Sequence, residues 1–560
     1  GWTGSSDPAN CGLVKKGTGT LWLRASSDLN HIYHDDFADD NYYEGPTVIE
    51  GGALRATCQP GRADGIPWES NLQLNGGVFQ GKGTYNRELG NGPGEVQWTG
   101  SGGFSAGDWR LTVQFLDNPV QWEAPYCPGD GDSLVLSSKT AEFAVDMQND
   151  IDLAGGERTV YVEDNPQQSQ DEAWLSGNVT NGSLVKEGPG TLELSGTGNN
   201  FDALNVGDGA VRVNPDSLPA TATVLFAGGV LETHGTFTRD LGGSPGEVAW
   251  AGDGGFAADS DPLNVNLDGG SELYWGMEGG RLSFVDQGDA MVLGSRTSQN
   301  VVEFQNSIRI HGADAEIRVV DNPHSEDDHA ILAGRLYNPY SYDDDGSVIK
   351  SGDGTLELVN SSNDYAGRTW IREGRLIVGA AGALPEASYV EIEEPGTLDL
   401  GGTTFNGDIW NDGVVENGTI GVTGNLRGTG QYRTPVTIGG GATVQPGNSP
   451  GTQTYDEGLT FEAGSEYEWE LITNTTEGAG ENFDQIVIAG GDLLIDPSAE
   501  LSLVFPNEEG GTVPVDFSLD FWTTDHEWAI IDTTGSSTSS GLFATDMIAS
   551  ATSYGEYGDF

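Results

Sequence analysis

The sequence is short of positive charge. Its 560 residues hold 24 Lys and Arg against 86 Asp and Glu, a formal net charge of −62. Such a surface repels phosphodiesters and anionic headgroups, which excludes nucleic acid and bare membrane as partners. No run of 18 apolar residues occurs, so direct membrane insertion by a helix is not expected. Cysteine is scarce: Cys11, Cys58 and Cys127 all lie in the first quarter, and no Cys-x-x-Cys pair signals zinc. In an oxidising compartment, Cys11 with Cys58 is the expected disulfide, because the two flank one repeat segment. Cys127 is then free or pairs between subunits; three buried free thiols are the alternative. Proline numbers only 24 and no strict Gly-X-Y period exists, which excludes collagen. No segment of helix length shows a 3.6-residue apolar period. Walker, Gly-x-Ser-x-Gly and dinucleotide-binding contexts are also missing.

What is present is glycine, at 85 residues about twice ordinary usage, between short β-branched and aromatic runs. That texture predicts an all-β protein. Internal repeats are long. GEVQWTGSGGF at residues 94–104 returns as GEVAWAGDGGF at residues 246–256, with eight of eleven positions identical. Each copy follows an aromatic-x-Arg-acid-Leu-Gly pattern, through Tyr85 and Arg87 in one and Phe237 and Arg239 in the other, at a common offset of 152. A second series shares an offset of 157: VDMQNDIDL from Val145 with VEFQNSIRI from Val302, and the Asp-Asn-Pro turn at Asp164 with that at Asp321. A third element occurs three times, as LVKKGTGTL from Leu13, LVKEGPGTL from Leu184 and VIKSGDGTL from Val348. Its glycines permit tight turns, and Thr-Leu-x-Leu supplies a short strand with both leucines on one face. Short strands in long tandem register suit a solenoid in which each coil covers the apolar face of the next. A string of separate β-sandwiches is the alternative, disfavoured because no Greek-key spacing or linker appears.

The third element, best seen in KSGDGTLELVNSSNDYAGRTWIREGRL at residues 350–376, resembles the autotransporter-associated β-strand repeat, or passenger-associated transport repeat, of secreted bacterial surface proteins. The copy at Lys15 carries an acidic insertion (residues 31–41), and the copy at Lys186 lacks the Tyr-x-Gly. The resemblance implies a right-handed parallel β-helix, export, and a place in the extracellular space or on the cell surface. It brings no catalytic residues. The start at Gly1 rather than Met is expected of a mature chain that has lost a leader, or of a trimmed one. The repeats divide the chain into a first solenoid unit (1–184), a second (185–348), a divergent third (349–450) and a β-rich C-terminal cap or sandwich (451–560), whose longer strands alternate more cleanly.

The expected role is structural and non-enzymatic: a subunit that self-assembles into a bacterial surface fibre, sheath or layer. A monomeric adhesin that binds glycans or cell-surface material is the alternative; its aromatic platform would draw on Trp98, Trp250, Trp275, Trp410 and Trp522, although Trp98 and Trp250 recur and suit a core. A glycan-cleaving enzyme is the third reading. It would need clustered carboxylates, uninformative among 86 acids, and a basic partner. Three of the six lysines are the repeat residues Lys15, Lys186 and Lys350, and repetition favours a structural duty. Arg87 and Arg239 are also repeat-equivalent and are expected to pair with acids. Calcium is the expected cation, if any, because hard oxygen ligands cluster at Asp35, Asp36, Asp39 and Asp40, at Asp130 and Asp132, at Asp343, Asp344 and Asp345, and at Glu326 to Asp328. Solvated charged loops are the plainer reading of each.

Overall fold

The computed structural model describes residues 12–23, 43, 45–56, 65–116, 119–276, 283–310, 312, 314–338, 346–448, 450–505, 515–534 and 537–544. These residues form short strands and two turns of 3-10 helix, with no α-helix among them. The strand pairs are parallel, as a solenoid requires. The chain divides into two compact units. One comprises residues 1–269, 291–302 and 322–328; the other comprises residues 270–290, 303–321 and 329–560.

In the first unit, one ladder runs from Leu13–Lys15 through Thr47–Ile49 and Leu72–Leu74 to Val96–Trp98. A second runs from Thr20–Trp22 through Gly52–Arg55 and Gly77–Arg87 to Gly102–Phe115. The last of these is long enough to serve two ladders. Its first half pairs with Ser133–Leu136 and its second half with Val145–Met147. The register between the two long strands shifts at Gly81 and Gly83, so a bulge turns the chain round a corner. The repeat at offset 152 does the same with Val230–Phe237 and Gly254–Val265, whose register shifts at Thr233 and Gly235. Repeated sequence thus means a repeated corner.

The core follows from the parallel register. Identical faces stack, so Leu184, Leu204, Val224 and Val248 form one fully buried column, and Leu192, Val211, Leu231 and Phe256 another. The GEVxWxGxGGF repeat has its own logic. The Trp98 indole turns back to donate to the Gly102 carbonyl at 2.7 Å, and Trp250 donates to Gly254 at 2.8 Å. A Cβ on Gly103 would sit 2.1 Å from the Val135 carbonyl, and one on Gly255 2.3 Å from that of Val292. Only glycine admits the next coil there.

In the second unit, three ladders climb together. One passes from Ala315–Val319 through Val348–Ser351, Thr369–Ile371, Val390–Ile392, Ile409–Asn411, Asn425–Gly428, Thr443–Pro446 and Glu466–Glu470 to Glu500–Val504. Its neighbour passes from Ala330–Leu332 to Ile531–Thr533, and carries the column Leu356, Leu376, Leu398, Val415, Tyr432 and Tyr455, each fully buried. Tyr432 and Tyr455 stack with centroids 4.9 Å apart. The third ladder runs from Thr404–Asn406 to Thr538–Ser540. Beyond Pro450, where the sequence suggests a cap or sandwich, the β-rich region is therefore built on the same parallel ladders.

Candidate functional site

The triplicate motif places a lysine at the end of one short strand and a Gly-x-Gly turn just after it. In every copy that lysine turns inward. Lys15, Lys186 and Lys350 are buried, and each Nζ donates to the carbonyl two residues on, Gly17, Gly188 or Gly352, at 2.7 Å. Each also donates to a carbonyl on the following coil: Gly51 at 2.7 Å, Asp208 at 2.8 Å and Glu373 at 3.1 Å. The residue after each of those acceptors is a glycine in the left-handed region: Gly52, Gly209 and Gly374, with φ of 60°, 62° and 64°. A Cβ on any of them would lie 2.4–2.5 Å from the carbonyl of Gly19, Gly190 or Gly354, the second glycine of the motif below. So the pattern K-x-G-x-G followed by G-x-L, or by G-x-V in the second copy, encodes one device, an ammonium clamped between the turns of successive coils. Burial pushes the ammonium groups of Lys186 and Lys350 down to about 7, and lowers that of Lys15.

The Asp-Asn-Pro turns form a second staple. Asn165 donates through Nδ2 to the Ala141 carbonyl at 2.7 Å, and its backbone N–H bonds Asp171 at 2.7 Å. Asn322 repeats this with Ser298 at 2.6 Å and Asp328 at 2.7 Å. Between the two turns lies a small open pocket of about 40 Å³, lined among others by Asp164, Asp171, Glu172, Arg296, Thr297 and His324. Burial pushes the Asp171 carboxyl up to about 7 and also raises that of Asp164.

Beside this pocket, Arg212 gathers carboxylates. Its Nε meets Glu232 at 2.6 Å and its Nη1 meets Glu172 at 2.8 Å, with Asp259 at 3.5 Å and Glu193 at 3.8 Å. Glu232 is fully buried, and accepts from Thr297 Oγ1 at 2.7 Å and Ser295 Oγ at 3.0 Å. Desolvation raises its carboxyl, opposed by the guanidinium and by Thr297. The preceding repeat holds a related arrangement with other carboxylates: Gln80 stands at offset 152 where Glu232 stands, and Arg55, Ser138 and Thr140 stand at offset 157, but the Arg55 partners Asp108 and Glu142 align with Ser260 and Gln299. Gln80 bonds the Thr140 carbonyl at 2.8 Å, while Arg55 pairs with Glu142 at 2.8 Å and with Asp108. A network present in both repeats, with its carboxylates held by an arginine and hydroxyls, pins the overlying loop to the sheet.

The expected site residues scatter. Asp35, Asp36, Asp39, Asp40, Asp343, Asp344, Asp345, Cys11 and Cys58 lie outside the described residues. Asp130 pairs with Arg158 at 2.7 Å, and Asp132 accepts from the Gly129 N–H at 3.0 Å. Among the described residues no three His, Cys, Asp or Glu side chains come together as a metal-holding group, so Asp130 and Asp132 gain no third ligand there. Cys127 is a buried free thiol, its pKa raised by burial. Arg87 and Arg239, expected to pair with acids, donate instead to backbone carbonyls: Arg87 to Ser70 at 2.7 Å and Pro67 at 3.2 Å, Arg239 to Ala222 and to Pro219 at 3.0 Å. They fasten the turn of the coil beneath, where a carbonyl is the natural acceptor.

Of the proposed aromatic platform, Trp98 and Trp275 are buried, and Trp250, Trp410 and Trp522 are half-buried. Exposed indoles lie elsewhere, at Trp22, Trp68 and Trp109. The Arg212 network also escaped the sequence reading. Its signal was there in the polar residue centred in TLEL, AVRV and VLET, where Glu193, Arg212 and Glu232 share one register.

The passenger-associated-transport-repeat family model matches residues 13–56, 184–213 and 348–378. These are the three stretches that carry the lysine clamp. No curated protein and no solved structure matches the chain.

Proposed function

We propose, for a chain that carries three passenger-associated transport repeats on a parallel β-solenoid, a structural role outside the cell. It serves as a stiff subunit of a surface fibre, sheath or layer and associates with further copies of itself. The observation that carries this reading is the recurring clamp. Each copy fastens one coil to the next through backbone carbonyls alone, a feature of a body selected for rigidity. The paired charges support it as well. Glu232, Arg212, Arg87 and Arg239 are committed to holding turns and loops. The high negative charge keeps subunits apart until a cation screens or bridges them, and calcium is the cation proposed for the acidic loops.

Negative-stain electron microscopy of the purified chain in Ca²⁺, and then in a chelator, tests the proposal. Regular filaments or sheets that dissolve on chelation are expected. Assemblies that survive chelation would keep the polymer and remove calcium from it. Single particles under both conditions, at all concentrations reached, would refute self-assembly.

A further inference from the structure

The two large repeats differ at one turn in a way that scaffold duty does not explain. Arg87 and Arg239 stand at offset 152, and so do the turns they fasten. The backbones of those turns agree. A Cβ on Gly94 would lie 2.9 Å from the Trp68 carbonyl, and one on Gly246 2.8 Å from that of Ala220. The arginines donate to the residue just before, Arg87 to the Pro67 carbonyl at 3.2 Å and Arg239 to that of Pro219 at 3.0 Å. The side chains do not agree. Arg87 lies 5.8 Å from the Tyr85 ring centroid and 5.3 Å from that of Trp68. Arg239 keeps the first contact, 5.6 Å from Phe237, but Ala220 stands where Trp68 stands and offers no ring. In its place is an open groove of about 270 Å³, lined among others by Leu218, Ala220, His234, Phe237, Arg239 and Gly246. The Trp68 indole nitrogen comes within 3.9 Å of the Cβ position on Gly94, and Gly246, the equivalent of Gly94, borders the groove. The groove thus occupies the place that an indole fills in the preceding repeat.

We infer that this groove binds a planar aromatic ring. The guanidinium of Arg239, while it fastens the turn, attracts the negative face of such a ring. Leu218 and Phe237 add apolar walls. The volume is close to the lower bound of about 300 Å³ for small-molecule sites, which suits one ring system. Trp68 is 46% exposed in the equivalent place, so a ring seated there is reachable from outside. A free aromatic compound and a tryptophan of a second copy share this chemistry. The site itself does not rest on self-assembly.

The test is equilibrium dialysis of the purified full chain against indole, with cyclohexanol as the saturated control. Saturation at one indole per chain is expected, with a Kd on the order of 1 mM for so small a ligand. Cyclohexanol, which has no π face, should bind more weakly by roughly threefold or more. A220W supplies the chain's own ring, as Trp68 does, and should weaken indole binding by roughly tenfold or more while melting as the parent does. W68A opens the equivalent place over Arg87 and should raise saturation to two indoles per chain. No saturable binding would overturn the inference, as would binding that a normally melting A220W leaves unchanged. A W68A chain that still takes one indole, or cyclohexanol bound as tightly as indole, would overturn it too. Sedimentation reads the source of the ring. Self-association that A220W and saturating indole both abolish assigns the ring to a second copy. Association that neither moves, or none at all, assigns it to a free aromatic compound.

Discussion

At the scale of single residues, the motif lysine is the most informative group. Replacing Lys350 by Met keeps the stem and removes the donor, which strands the Gly352 and Glu373 carbonyls in the interior. A loss of about 1–3 kcal/mol for each unsatisfied carbonyl is expected, read as a lowered urea midpoint. Gly374 is the partner test. An alanine there must hold φ near 64° with its Cβ 2.4 Å from the Gly354 carbonyl, so G374A should destabilise by about 1–3 kcal/mol. A second residue sets a pH dependence. Asp484 is 3% exposed and accepts from the backbone N–H of Gly451 at 2.8 Å and of Glu470 at 3.0 Å. Desolvation, with Glu470 and Glu468 close by, pushes its carboxyl up to about 8. The folded chain then keeps a proton that the unfolded chain releases near pH 4. The stabilisation is complete below about pH 4 and is lost as pH rises through about 8. D484N should flatten that part of the stability profile; an unchanged slope would refute the assignment. Legibility at this scale was uneven. Repetition correctly marked Lys15, Lys186 and Lys350 as structural. It could not say that Arg87 and Arg239 seek carbonyls, because a carbonyl belongs to every residue and leaves no trace in side-chain identity. Trp109 was missed for the opposite reason: it does not repeat.

At the scale of elements, parallel register turns a one-dimensional pattern into stacked columns. Thr-Leu-x-Leu predicted a half-buried strand, and Leu356 and Leu358 are indeed fully buried while Glu357 between them is not. Leu376 lies inside the column that runs from Leu356 to Tyr455, where neighbours on both sides are fixed by hydrogen bonds and cannot close a gap. L376A should therefore cost about 2–5 kcal/mol, measured by urea unfolding. The corners were less legible. An offset that changes from 152 to 157 within one repeat records a difference in loop length between the copies, but only coordinates reveal that one strand of 14 residues serves two ladders. The strands beyond Pro450 alternate more cleanly because their outer faces are more polar. Alternation of that kind reads alike in a sandwich and in a solenoid, since both bury one face of each strand.

At the scale of the whole molecule, charge dominates. With 86 acidic residues against 24 basic ones, self-repulsion opposes any compact state. The urea midpoint should rise as NaCl is raised from about 0.05 to about 1 M; a midpoint indifferent to salt would mean that the carboxylates are already neutralised. Sequence repeats and compact units are different partitions here. Residues 291–302 and 322–328 belong with the first unit, and the Asn322 turn holds to Ser298 within it. That bond, from one amide to one carbonyl, joins the two segments to each other and repeats the Asn165–Ala141 bond at an offset of 157, whereas Ser295 and Thr297 tie the first of them to Glu232. The lysine clamp uses the same kind of acceptor, and this has a consequence for how such a chain can change. A lock that recognises only main-chain oxygen is indifferent to the side chains around it. A coil bearing the motif is thus an interchangeable part: it can be duplicated, lengthened in its loop or exchanged for another while the joint to its neighbour stays intact. The surface is free to diversify because the joints do not read it.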